Sequence, residues 1–168
     1  YYAVTEDEPL ENNTYLSYNK VVGTALDKKL YLAMQILDYV LVMAPGAKLK
    51  QALIDKGIGT DIYSSLESSV LQPEDSIVAK NAEESQKKAF VDTIEEVLRD
   101  IAKNGIDKRM ALAGMNYYEF KFREADYGAY PKGLMYYLTM MDSWLYDENE
   151  PFIHVEALDT FAQLRKEL

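Results

Sequence analysis

Residues 14–24, TYLSYNKVVGT, combine β-branched and aromatic side chains and lack helix formers, which predicts a strand. From Asp27 onward the apolar period lengthens. Leu30, Met34, Leu37 and Leu41 recur at helical spacing, and Tyr31, Ile36, Tyr39 and Val40 extend the apolar surface around most of the circumference. The pattern predicts a helix capped by Asp27, buried on most sides and stopped by Ala44-Pro45-Gly46. A short second helix is expected over residues 47–56, with Leu49, Leu53 and Ile54 inward and Gly57 as a left-handed C-terminal cap. The period then drops to two. Ile62, Ser64, Leu66, Ser68 and Val70 share one face, while Asp61, Tyr63, Ser65, Glu67 and Ser69 share the other. Gln72-Pro73-Glu74-Asp75 has turn chemistry, so residues 76–81 are expected to return antiparallel. The small serines on the inner face leave room for something to approach closely. A bulky helix side chain is the simpler occupant, a ligand the sharper one.

The remainder has helical periodicity. Phe90, Ile94, Val97 and Ile101 mark one helix, closed by Asn104-Gly105 with Ile106 placed for a capping contact. Asp107 caps the next, which runs to about Ala125. Pro131 opens a third, with Leu134, Leu138, Met141 and Leu145 at helical spacing. Val155, Leu158, Phe161 and Leu164 define the last. Strand, helices, hairpin, then helices is the order of an α+β domain in which several helices cover a small antiparallel sheet. Residues 1–12 carry four acids and no base and read as an acidic tail or linker, which leaves residues 13–168 as the domain.

Composition narrows the chemistry. The 168 residues include 28 acids, 18 Lys and Arg, one His and no Cys, for a formal charge of −10. Without cysteine there is no disulfide framework and no thiolate site, and with one histidine no H-x-x-E-H or H-E-x-x-H zinc motif. Lys and Arg form no patch that would hold phosphates, so nucleic acid is not an expected partner. The most apolar stretch, residues 30–44, is interrupted by Gln35 and Asp38 and is short for a membrane span, so no membrane is expected either. The first residues run directly into Glu6, Asp7 and Glu8 with no signal segment, and the missing initiator Met suggests an excised piece.

Each candidate for chemistry has a plainer structural reading. His154 sits in a loop before the last helix with no nucleophile beside it in sequence, which suits packing better than catalysis. Glu119 and Arg123 are four residues apart in the order that favours an ion pair, and Glu119 or Glu124 as a catalytic acid or base is the alternative. Gly57-Ile58-Gly59 looks like part of a phosphate loop but follows a helix and lacks the further glycine and lysine. Met135, Tyr136, Tyr137, Met140, Met141 and Trp144 read mostly as core, with a peptide-facing surface as the alternative. On composition and pattern alone, a free-standing module holding a basic peptide or protein remains open.

Several segments, in order, resemble the second domain of zinc peptidases of the insulinase/pitrilysin family, in its presequence-protease branch. Pro45, Gly46, Leu49, Leu53, Gly57 and Gly59 match that branch's small turn, small-Leu-x-x-x-Leu helix and Gly-x-Gly. Asn116, Glu119, Phe120, Arg123, Glu124, Gly128, Pro131, Gly133 and Leu134 match an N-x-x-E-F…R-E…G-x-x-P-x-G-L run, and Trp144-Leu145-Tyr146-Asp147 the W-x-Y-D segment after it. The resemblance implies the metallohydrolase-domain fold of pitrilysin-type peptidases, within an enzyme whose two bowl-shaped halves enclose a chamber. It implies no catalytic and no metal-ligating residue here. Zinc, with its polarised water, belongs to a separate catalytic domain. The matched residues are then structural or chamber-lining; Gly128 and Gly133 would allow tight backbone around the Pro131 helix, and Glu119 with Arg123 would fix two helices and that loop. Implied partners are the remaining domains of the parent peptidase and unfolded, basic peptides. The implied location is the bacterial cytoplasm, or an organelle in a eukaryote.

Overall fold

The computed structural model describes Ala3, residues 5–7 and residues 11–168. Half of the tail assigned to residues 1–12 lies outside the described residues. Three strands, β1 (Thr14–Val21), β2 (Asp61–Glu67) and β3 (Glu74–Ala82), form an antiparallel sheet in the order β1-β3-β2. Leu16, Ala79 and Ile62 align across the three strands and are buried together, so one row of the sheet is wholly inward. Between Thr14 and Leu16 the β1–β3 register slips by one residue. Asn81 takes up the extra residue at φ +55°, a conformation asparagine tolerates, and its side chain donates to Thr60 Oγ1 at 3.0 Å.

Six α-helices are present among the described residues: α1 (Lys28–Asp38), α2 (Lys48–Asp55), α3 (Lys87–Asn104), α4 (Lys108–Glu124), α5 (Lys132–Trp144) and α6 (Leu158–Glu167). The predicted caps hold. Asp27 accepts from the Leu30 amide at 2.9 Å, and Asp107 from Arg109 and Met110 at 2.8 and 3.1 Å. Helix α1 continues as a π-helical turn over Tyr39–Met43, where the Ala44 amide reaches back to the Tyr39 carbonyl at 2.7 Å.

That central helix lies between two cores. On one side Leu41 and Val42 join the sheet with Leu49 and Leu53 of α2 and Phe90, Ile94 and Val97 of α3. On the other, Leu32, Ile36 and Val40 meet Met115 of α4 and Phe161 of α6. Three consecutive residues, Val40, Leu41 and Val42, are therefore all buried, as expected for a helix apolar on most sides. Helices α1 and α4 cross closely at Gly114, where an added Cβ would stand 2.6 Å from Val40 Cγ2. Residues 28–55 are long and apolar enough to span a membrane by composition, but the chain breaks at Ala44-Pro45-Gly46 and the two cores take up the apolar residues on either side.

Several inward assignments do not hold. Ile54 is exposed, because α2 turns only its Leu49–Leu53 side to the sheet. Strand β2 ends at Glu67, so Val70 falls in the connecting loop and is exposed. Strand β3 begins at Glu74 rather than at residue 76, which brings Glu74 and Asp75 from the expected turn into the sheet. Leu158, in the first turn of α6, is also exposed. The largest departure is α5. Its only buried residue is Ser143, and the stripe Leu134, Leu138 and Leu145 is 46%, 49% and 62% exposed. Tyr136, Tyr137 and Trp144 are exposed as well, so the expected aromatic core along this helix is a surface. The periodicity is genuine, but no element among the described residues covers the stripe.

Candidate functional site

The matched motif gathers around Glu119, on the face of α4 turned toward α6. Glu119 Oε1 accepts from Arg123 Nε and Nη2 at 2.9 and 2.7 Å. Glu119 Oε2 accepts from Arg165 Nη2 of α6 at 2.8 Å, and the same guanidinium nitrogen donates to Asn116 Oδ1 at 2.9 Å. These bonds, Arg123's foremost, hold the Glu119 carboxyl below its ordinary range. The group thus clamps α4 to α6. The anchor on the second helix is Arg165, which the sequence reading did not name and which shares no local spacing with the motif.

The rest of the matched run does not join the clamp. Phe120 is 63% exposed, and Glu124 is the exposed last residue of α4. Gly128 sits in the following loop at φ +58°, its amide bound to Asp126 Oδ1 at 2.9 Å. Pro131 is the N-cap of α5, Leu134 lies in its exposed stripe, and Trp144 ends it. Gly133 was expected to serve tight backbone; it lies inside α5 with nothing within 4 Å of where a Cβ would stand, so the fold places no demand for glycine there.

The inner-face serines meet helix side chains, as the simpler reading has it, but polar ones. The Tyr31 hydroxyl donates to Asp142 Oδ2 of α5 at 2.8 Å and lies 3.3 Å from Ser68 Oγ. His154 stacks on the Tyr31 ring with centroids 3.8 Å apart. Burial lowers the pKa of this imidazole and keeps it neutral, so it acts as a packing residue beside Tyr31.

Two turns further along α1 from Tyr31, Asp38 faces Ser64 of β2 and Asp75 of β3. Asp38 is 8% exposed. Asp38 Oδ1, Ser64 Oγ and Asp75 Oδ1 are buried beside one another, with Ser64 and Asp75 as the hydrogen-bonding neighbours of Asp38. Burial raises both carboxyls, and the neighbouring Asp38 charge helps push Asp75 up to about 6. Asp38 and Ser64 line an open groove of about 390 Å³ whose other side is aromatic. Tyr39 and Tyr117 stack there at 4.5 Å, and Tyr118 stands edge-on to them at 6.1 and 5.3 Å. Burial and the Asp38 charge push the Tyr118 hydroxyl up to about 12. Sequence reasoning passed over Asp38 and Asp75, although an acid inside the apolar stretch of residues 30–44 was the available signal.

A raised carboxyl means that the folded protein binds more protons than the unfolded chain between about pH 4 and pH 6. This contribution to stability is therefore greatest at the acid end of that window and is lost as pH rises through it. Asp75→Asn is expected to reduce the slope and to stabilise the protein at pH 7.5 by about 1 kcal/mol, a figure reduced for the partial exposure of Asp75. Urea midpoints at pH 4.5 and 7.5 measure this, and an unchanged slope in the variant would contradict it.

The residues present do not fit a zinc site. The one histidine is stacked on Tyr31, and among the described residues no three His, Asp or Glu side chains are grouped to hold a metal ion.

No family model matches the chain. It is 30% identical over 161 residues to presequence protease 1, chloroplastic/mitochondrial, of Arabidopsis thaliana, across 94% of this chain and 15% of that protein. This segment is a relative of the presequence proteases. It is also 40% identical over 167 residues to protein HypA of Clostridium perfringens, across 99% of this chain and 17% of that protein. The chain thus spans about a sixth of the length of the curated relatives it matches. Among solved structures, a Bordetella pertussis protein assigned as a zinc protease shares the fold at TM-score 0.71 and 9% identity, over 89% of this chain and 78% of that one. The inactive peptidase domain of a protein so assigned from Bordetella parapertussis matches at TM-score 0.66 and 9% identity, over 89% and 82%. At such identity these two show the fold alone. The expected small antiparallel sheet with helices is the fold found, close to that of zinc protease domains.

Proposed function

We propose that this chain is a non-catalytic domain of a zinc-dependent metallopeptidase of the insulinase/pitrilysin type, placed second in its N-terminal half. It would form part of a chamber wall and brace the zinc-bearing domain, while the enzyme degrades unfolded, basic peptides. The observation that carries the reading is the outward stripe of α5. Leu134, Leu138 and Leu145 repeat as a core-facing helix does, yet they face solvent, which is the pattern of a surface covered by further protein. The relation to presequence protease 1 supplies a longer protein to do the covering. The inactive peptidase domain among the similar folds makes a copy without catalysis a reasonable counterpart. Zinc would sit on ligands that this chain does not carry, in the bacterial cytoplasm or in an organelle of a eukaryotic host.

The test begins with the encoding locus. An in-frame upstream H-x-x-E-H in one long reading frame is expected, and a frame without it, with no partner gene carrying it, would overturn the proposal. In the long protein, Leu138→Glu should lower chelator-sensitive cleavage of an unstructured peptide and reduce its melting temperature. In the 168-residue chain the same change should shift stability by no more than about 0.5 kcal/mol, because Leu138 is already exposed. Equal destabilisation of the two would place Leu138 inside the domain's own packing instead.

A further inference from the structure

We propose that the cavity between α1, α4, α5 and α6 is a subsite for the C-terminal residue of a peptide, taking its free carboxylate and an apolar side chain together. The inference rests on the chamber-wall reading for the source of the peptide, and its test needs no zinc domain. The cavity has a volume of about 230 Å³. An apolar cavity of about 150 Å³ already admits a benzene ring, so this one has room for such a ring with a carboxylate beside it. Leu32, Phe122 and Phe161, which belong to the second core, give it an apolar floor.

Charge selects the ligand. Lys28 at the start of α1 and Lys121 in the last turn of α4 both line the cavity, and no Asp or Glu does, in a chain with 28 acids against 18 Lys and Arg. Neither lysine takes part in the ion pairs among the described residues. Lys121 rests on the neutral Tyr117 instead, with Nζ 3.3 Å from its hydroxyl. Asp142 holds the Tyr31 hydroxyl but lies outside the lining. Tyr127 and Tyr136, edge to face with ring centres 6.1 Å apart, bring phenol groups to the same lining. Two cations repel a metal ion, and inorganic phosphate would leave the apolar floor unused. An internal Asp or Glu side chain carries its carboxylate with no apolar group beside it. The last residue of a peptide carries both on one Cα, which matches cations set over an apolar floor. At about 100° per residue, Tyr136 and Thr139 reach the cavity from the side of α5 opposite Leu134, Leu138 and Leu145, so the subsite and the stripe are separate surfaces.

The experiment compares two unstructured peptides that end in phenylalanine, one with a free C-terminal carboxylate and one amidated. Binding to the 168-residue chain is followed by calorimetry and by NMR of the Tyr127 and Tyr136 rings. The free acid is expected to bind roughly tenfold tighter and to move both ring signals. Lys28→Gln combined with Lys121→Gln should abolish that preference; both side chains are exposed, so the double variant keeps the fold. Lys103→Gln, which removes the same charge from α3, should preserve it. Replacing the terminal phenylalanine by glycine should weaken binding of the free acid, since the floor then stays empty. Equal affinity for acid and amide, or a preference that survives the double variant, would overturn the assignment. N-acetylphenylalanine should compete with the peptide; binding of this small acid without binding of the peptide would overturn the peptide as its source. Any of these failures leaves the chamber-wall reading standing, since the encoding locus and the α5 stripe decide that separately.

Discussion

Phe161→Ala is expected to cost about 3–5 kcal/mol of stability. Phe161 is 2% exposed and is the main apolar anchor of α6 in the second core, with Leu32, Ile36 and Val40 of the central helix and Met115 of α4. Its ring also lies 6.0 Å from that of Phe122. Truncation would remove the transfer free energy of a phenyl group and leave a cavity between three helices. The clamp itself cannot compensate, because Arg123 and Arg165 are about half exposed and such pairs contribute only ~0.2–1 kcal/mol each. The loss should show as a lower urea midpoint with amide exchange accelerated first in α6. Leu158→Ala, three residues earlier in the same helix and 41% exposed, should change stability by less than about 1 kcal/mol. Similar losses for the two would mean that α6 is held by its whole apolar surface and not by Phe161.

Gly59→Ala is expected to cost roughly 2–4 kcal/mol, more than any surface substitution should. Gly59 sits at φ +67°, where an L side chain is strained, and its Cβ would stand 2.7 Å from the Lys80 carbonyl oxygen. That carbonyl accepts from the Thr60 amide at 2.9 Å and so starts the β2–β3 ladder. Backbone cannot swing aside as a flexible side chain would, so the ladder must shift at its first bond. Gly57, at φ +66° but with open space around it, provides the comparison: Gly57→Ala should cost only the conformational strain, about 1–2 kcal/mol. Equal losses at the two positions would show that contact with Lys80 is not what makes Gly59 indispensable. The Gly-Ile-Gly segment is thus a turn that leads the chain into a strand, which agrees with discounting it as a phosphate loop.

The elements that could be read along the chain are those whose cause is local. Asp27 and Asp107 cap helices because a short carboxylate reaches amides two or three residues on, whatever the rest of the fold does. The alternation from Asp61 to Glu67 marks a half-buried strand because successive side chains must point to opposite faces. Glu119 and Arg123 could be paired from their spacing alone. Arg165 could not, since it arrives from 46 residues away only when α6 packs on α4.

Polar groups that the fold buries were the hardest to foresee. Asp38 and Asp75 come from a helix and a strand with no local relation, and Asp75 sits inward only because β3 begins earlier than its turn-like sequence suggests. The tyrosine walls of the groove meet only when α4 crosses the π-helical turn. Local sequence by itself determined the helices, the hairpin, their caps and the α+β class, because each depends on neighbours within a few residues. The tertiary structure alone decided which apolar stripe was covered, because burial depends on a partner surface. For α5 the repeat of Leu134, Leu138 and Leu145 has the spacing of a buried face, but no element among the described residues lies over it.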